Sequence, residues 1–180
     1  MRKKSFLIIF LVAIILVLSV IRIKKINSNV PHSFEIKTFE QNKWVSLDDL
    51  KLSVTGYKLG KSYHYDGGNP NDQYINMPVT INVTVTNISN AIQDISQLSE
   101  CSLYGGYDYS QTDNVKFSNR NLKVNETATI SFTYTVDKKT FNSSAMHFVI
   151  GTSSLKKYDN KNYREIYNKG KYEGVIFSLS

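Results

Sequence analysis

The ten residues from Pro78 to Asn87, PVTINVTVTN, constrain this chain more than any other stretch. Val79, Ile81, Val83 and Val85 alternate without a break against Thr80, Asn82, Thr84 and Thr86, the period of a strand with one buried and one wet face. Such a strand exposes a row of branched apolar side chains that another layer must cover. The fold question is therefore which other residues supply that cover.

Several stretches repeat the period. Ala128, Ile130, Phe132, Tyr134 and Val136 alternate with threonine and serine, and are expected beside or across from residues 79–85. Met146, Phe148 and Ile150 continue the pattern, and Val175, Phe177 and Leu179 end it. Leu50, Leu52 and Val54 form an earlier strand, with Trp44 and Val45 at its start and Gly56-Tyr57 as a kink or bulge. Cys101 and Leu103 belong to a further strand bent at Gly105-Gly106, while Ile92, Ile95 and Leu98 suggest a weak edge element. Gly60, Gly67, Gly68 and Pro70 make residues 59–77 a long loop. Residues 152–174 interleave six basic side chains with four tyrosines and read as a long hairpin or protruding loop. Six or seven short strands, turn clusters between them and no convincing helix after residue 25 predict an all-β fold. The expected architecture is an antiparallel immunoglobulin-like β-sandwich preceded by one N-terminal transmembrane helix.

That helix is read from Phe6 to Ile21, FLIIFLVAIILVLSVI, which is apolar except for Ser19 and bracketed by basic residues. It covers roughly 24 Å, and Ile23 with snorkelling Arg22 and Lys24 extends it toward the roughly 30 Å of a hydrocarbon core. Val20 to Lys24 offers no small-residue cleavage site and no lipidation cysteine, so an uncleaved single-pass anchor is favoured over a cleaved signal peptide. The expected organisation is an anchor (or signal peptide) over 1–25, a stalk or loosely held edge segment over 26–43 and the sandwich over 44–180. Basic residues are about equal on the two sides of the apolar run and do not decide orientation. The Thr- and Asn-rich, disulfide-free remainder is placed outside, giving a cell-membrane protein with an extracytoplasmic C-terminal domain, or a secreted one after cleavage.

The formal charge of +7 hints at nucleic acid until it is located. Arg2, Lys3, Lys4, Arg22, Lys24 and Lys25 all flank the apolar run, and beyond residue 25 sixteen basic residues face fifteen acidic ones. Bulk charge therefore implies no polyanion partner and no nucleic acid. Cys101 is the only cysteine, so no disulfide forms within the chain, and with no basic cluster near it in sequence it reads as a small buried hydrophobe.

In this order of segments, Val83-Thr84-Val85-Thr86-Asn87-Ile88-Ser89 matches a "V-x-V-x-N-x-S" phrase. Leu122-Lys123-Val124-Asn125-Glu126 matches an "L-x-P-G-E" turn, with Val and Asn where Pro and Gly are usual. On these phrases the region from Leu47 to Ile150 resembles the telokin-like, immunoglobulin-fold accessory domain of unknown function found on Gram-positive surface proteins and lipoproteins. The resemblance implies an extracytoplasmic, non-catalytic module with no assigned ligand.

Catalysis would need a nucleophile, a base and an orienting group. His32 falls in the stalk segment, His147 on a wet strand face and His64 in a loop, and no nucleophile motif accompanies them. No catalytic or cofactor residue is assigned, and the chain is not expected to be an enzyme. Asp66, Asn69, Asn71 and Asp72 offer hard oxygen ligands on a turn-rich backbone and form a candidate calcium loop without the glutamate of an EF-hand. Lys156, Lys157, Lys161 and Arg164, among tyrosines, are the candidate residues for anionic wall polymer, lipid headgroups or carbohydrate. The leading expectation is an anchored module that binds an envelope protein or wall polymer. The alternative is a ligand-sensing or solute-binding domain that uses loops 60–77 and 152–172, with calcium as the candidate ion.

Overall fold

The alternation at 79–85 lies in the middle of a sheet in the computed structural model of the chain. The structure describes residues 2–28, 30–64 and 75–179, with side chains from residue 10 onward. A helix α1 (Arg2–Asn27) is followed by β1 (Ser33–Glu40), β2 (Val45–Ser46), β3 (Leu50–Leu59), β4 (Tyr63–His64) and β5 (Ile75–Asn87). Next come β6 (Gln93–Asp94), β7 (Ser102–Gly105), β8 (Asp108–Ser110), β9 (Asn114–Phe117), β10 (Asn121–Leu122) and β11 (Thr127–Asp137). The chain closes with β12 (Met146–Ile150), α2 (Thr152–Tyr158), α3 (Asn160–Asn168) and β13 (Lys171–Ser178).

Two sheets form a β-sandwich. One has the order β2-β3-β5-β11-β9, with β4 added to β5, and the other β1-β13-β12-β7-β8; β6 and β10 pair separately. The strand of residues 127–137 lies beside β5, antiparallel, with Ala128 opposite Val85 and Val136 opposite Met77. The cover across from β5 comes from the second sheet. The rings of Phe132 on β11 and Phe148 on β12 meet edge-on at 5.1 Å, and Phe177 and Phe39 continue the aromatic contact toward β1. Val79, Ile81 and Val85 are completely buried and Val83 is 3% exposed. Gly56 sits at a register shift between β3 and β5, the expected bulge.

Several expectations change. Of the segment read as a stalk or a loosely held edge, residues 33–40 form β1, an edge strand of the second sheet, so they belong to the sandwich rather than to a linker. It runs parallel to β13, so the sandwich is mostly rather than wholly antiparallel. The chain enters β1 and turns back from α3 into β13 at the same end of the sheet, which forces both strands to run the same way. Residues 152–168 form two short helices instead of a hairpin or loop. Leu155, Tyr158, Tyr163 and Ile166, spaced by helical intervals, are buried against the sandwich, and that burial stabilises helices too short to persist alone.

Val45 does not begin β3 but forms β2, which folds back with Val45 opposite Leu52. Of the expected edge element, Ile95 and Leu98 are buried while Ile92 is exposed. Among its described side chains, from Phe10 onward, helix α1 supplies no residue to the core. Among the described residues no helix is long and apolar enough to cross a membrane.

Candidate functional site

The two features most able to engage another molecule both involve the second sheet. The first is its outer face. Phe34 and Ile36 on β1, Tyr104 on β7, His147 and Val149 on β12 and Ile176 on β13 line an open apolar groove of about 330 Å³. The alternation that buries Phe148, Val175 and Phe177 inward must turn His147, Val149 and Ile176 outward. Gly174 lets Ile36 pack directly over the β13 backbone, 3.3 Å from where a Cβ would stand. Phe34 and Ile36 remain 61% and 54% exposed, which is unusual for neighbouring apolar residues on one strand face. His147 Nδ1 is buried here without a hydrogen-bond partner.

The second is the junction of α2 and α3, a polar network in the core-facing layer. Asp159 ends α2 and begins α3, and its carboxylate accepts hydrogen bonds from the Asp48 backbone N–H at 3.1 Å and the Asn162 side chain at 3.0 Å. Asp48 in turn accepts from the Lys161 N–H at 2.6 Å, and the Asp49 N–H donates to the Tyr158 carbonyl at 2.9 Å. Glu173 on β13 receives Asn162 and, at 3.0 Å, the Lys37 ammonium from β1. Burial, with the Asp159 carboxylate nearby, pushes Glu173 above the usual carboxylate range, against the pull of Lys37. The second oxygen of Glu173 and the Tyr163 hydroxyl are buried without hydrogen-bond partners. Burial also pushes the Tyr163 hydroxyl up, with Tyr172, Tyr167 and Glu173 contributing. Chemically, this network fastens helices to sheets across four segments of chain. Its Lys37–Glu173 pair is half inside, with the carboxylate wholly enclosed.

The sequence-predicted candidates fall differently. Asp66, Asn69, Asn71 and Asp72 lie outside the described residues. Among those described, no group of three or more His, Cys, Asp or Glu side chains is placed to hold a metal. Lys156 and Lys157 sit on α2, Lys161 and Arg164 on α3, and the first two are committed to different neighbours. The Lys156 ammonium lies 5.7 Å from the Tyr163 ring centre, whereas Lys157 donates to the Asp94 carbonyl at 3.0 Å. His32 and His64 are exposed, on the chain leading into β1 and on β4 respectively. Cys101 is 2% exposed, and burial pushes its thiol up to about 12. Sequence reasoning missed the outer groove because its residues come from four strands, one of them in the segment read as a stalk or loosely held edge. It missed the carboxylate network because Asp159 and Glu173 look like dilution of a basic segment.

No protein-family model matches the chain, and no curated protein does. Among solved structures, the chain is similar to an uncharacterized β-sandwich protein from Clostridium difficile 630, with 8% identity, a TM-score of 0.53, and cover of 83% of this chain and 97% of that one. A functionally unknown protein from Listeria monocytogenes EGD-e gives 16% identity and a TM-score of 0.48 over 67% of this chain and 74% of that one. A conserved hypothetical protein from Bacillus anthracis gives 13% identity and a TM-score of 0.46 over 61% and 87%. The first of these supports the β-sandwich fold.

Proposed function

We propose that the chain is a membrane-anchored, extracytoplasmic module with an immunoglobulin-like β-sandwich, acting by interaction with a protein or polymer of the cell envelope and carrying out no chemistry. The observation behind this reading is the state of α1. Its large apolar side chains from Phe10 to Ile26 are 41–62% exposed, and the sandwich core closes without them. From Phe10 to Ile21 the helix is apolar on every side except at Ser19 and is left uncovered by its own domain, which supports a hydrocarbon surrounding for that part even though the described helix is not long and apolar enough to cross a membrane by itself. Arg22, Lys24 and Lys25 at its end suit the headgroup level. The exported location and the absence of chemistry follow the resemblance to telokin-like accessory domains. The part of the outer groove formed by Tyr104, His147, Val149 and Ile176 is the kind of surface such a module would offer a partner.

The test is fractionation of cells expressing the full chain, followed by alkaline carbonate extraction and protease treatment of cells stripped of their wall. Retention in the membrane pellet with a protease-accessible sandwich is expected. Release into the carbonate supernatant would overturn the anchor, and protection from added protease would overturn the orientation.

A further inference from the structure

The structure carries a row of aromatic rings at the end of the sandwich where the anchor joins it. Phe34 and Tyr172 are adjacent across β1 and β13, ring centres 5.4 Å apart. Tyr172 meets Tyr167 at 6.1 Å, and Tyr167 stacks on Tyr163 at 6.0 Å. Phe34 and Tyr167 are exposed and Tyr172 between them is half-buried, while Tyr163 ends the ladder inside the domain. Lys171 and Lys169 flank it, paired at 3.3 and 2.8 Å with Glu35 and Glu165, and Arg164 is exposed one turn before Asn168 on α3.

The connection to α1 is short and held at both ends. Five residues separate Asn27 from Ser33, so the first residue of β1 lies within roughly 20 Å of the helix terminus. Hydrogen bonds shorten that reach. The Val30 N–H donates to the Asn27 carbonyl at 3.1 Å, and the His32 N–H to the Gly170 carbonyl at 3.4 Å, which ties the α3–β13 turn to the entering chain. Gly170 adopts a φ of 75°, the left-handed conformation that lets this turn close there.

Resting on the anchor reading above, we infer that the Phe34–Tyr172–Tyr167 ladder seats in the headgroup layer of the same membrane and fixes one orientation of the sandwich on it. Aromatic rings with an apolar body and a polar tip concentrate at that level. The exposed apolar pair Phe34 and Ile36 gains cover there, and exposed Arg164 faces lipid phosphates while Lys169 and Lys171 stay paired with Glu165 and Glu35. The opposite end, at the β7–β8 turn, points into solvent. Gly105 is opposite Met146, whose carbonyl accepts from Leu179, so this turn lies beyond the far end of β13, roughly 23 Å along the strand from Lys171.

The test reconstitutes the full chain into vesicles of phosphatidylcholine and phosphatidylglycerol. An environment-sensitive fluorophore is placed at Asn168→Cys or Tyr107→Cys, both exposed, while buried Cys101 stays unlabelled. Carbonate extraction of the vesicles first reports whether the chain is anchored. A lipid-borne nitroxide is then expected to quench the label at 168 several-fold more than that at 107. Adding Phe34→Ser with Tyr167→Ser, both surface changes, is expected to bring the signal at 168 down to that at 107 while anchoring persists. An anchored chain with equal quenching at the two sites would overturn the seating alone. A chain lost on carbonate extraction would overturn the anchor and the seating with it.

Discussion

The side-chain amide of Asn87 lies 2.9 Å from the carbonyl oxygen of Leu122, and both residues are completely buried. The same amide also serves the Ala91 and Lys123 carbonyls at 2.7 and 3.1 Å, and its oxygen accepts from the Ser89 N–H and hydroxyl. Backbone bonds complete the clasp, from the Asn87 N–H to the Glu126 carbonyl and from the Asn125 N–H to the Asn87 carbonyl. The two sequence phrases that resemble telokin-like domains are thus physically one joint, where β5 ends and β11 begins.

Asn87→Leu is expected to destabilise the sandwich by about 3 kcal/mol, because it leaves several enclosed carbonyls without donors. Asn87→Asp is expected to cost at least as much near neutral pH, since a carboxylate has no donor for Leu122 or Lys123. Urea unfolding of both variants checks this, and losses below about 1 kcal/mol would show the joint to be incidental.

Asn125 adopts a φ of 61°, in the left-handed region that glycine tolerates best. Asn125→Gly is expected to hold or slightly raise thermal stability, and Asn125→Val to lower it by about 1–2 kcal/mol. The order of melting temperatures Gly, Asn, Val reads the outcome directly.

Phe148→Ala removes the ring that links Phe132 on one sheet with Phe177 on the other. A loss of about 3–5 kcal/mol is expected in chemical denaturation, with the slope on denaturant unchanged.

Glu173 and Glu126 are expected to give opposite pH signatures. Burial raises Glu173 in the folded state, so the folded protein holds its proton more tightly than the unfolded chain does. Stability from this group therefore falls as pH rises from the ordinary glutamate value of 4.5 through the raised one. Glu173→Gln is expected to stabilise the protein more at pH 7 than at pH 4. Glu126 is held low by hydrogen bonds from the Lys123 N–H and the Asn119 amide, so its contribution is present above 4.5 and lost as pH falls through the lowered value. Glu126→Gln is expected to flatten the acid side of the profile. Urea titrations at pH 3 to 8 separate the two, and parallel profiles for all three proteins would refute both assignments.

Native Cys101 is expected to resist a disulfide-exchange reagent at pH 8 until the chain unfolds, because burial pushes its thiol up to about 12 and blocks access. Rapid reaction under native conditions would mean that the chain around Cys101, just before β7, opens locally.

Much of the sandwich was legible in residue order. Period-two alternation at 50–54, 79–85, 128–136, 146–150 and 175–179 identified the inward faces of β3, β5, β11, β12 and β13, because a pleated strand sends alternate side chains to opposite sides wherever it is placed. The bulge at Gly56 and the burial of Cys101 were equally local. Helices α2 and α3 carried a readable signal in the spacing of Leu155, Tyr158, Tyr163 and Ile166, but the lysines between them suggested a solvated loop. Tertiary contact decided between the two readings, since short helices form when a sheet covers their apolar stripe. The same holds for β1, whose edge position depends on Phe34 meeting Tyr172, residues far apart in sequence. Sequence alone determined which side chains of the alternating strands face inward, a property of local backbone geometry. Only the folded chain decided which sheet each strand joins, that Asp159 and Glu173 share one enclosure, and that the aromatic ladder stands beside the anchor, because those depend on segments brought together by closure of the two sheets.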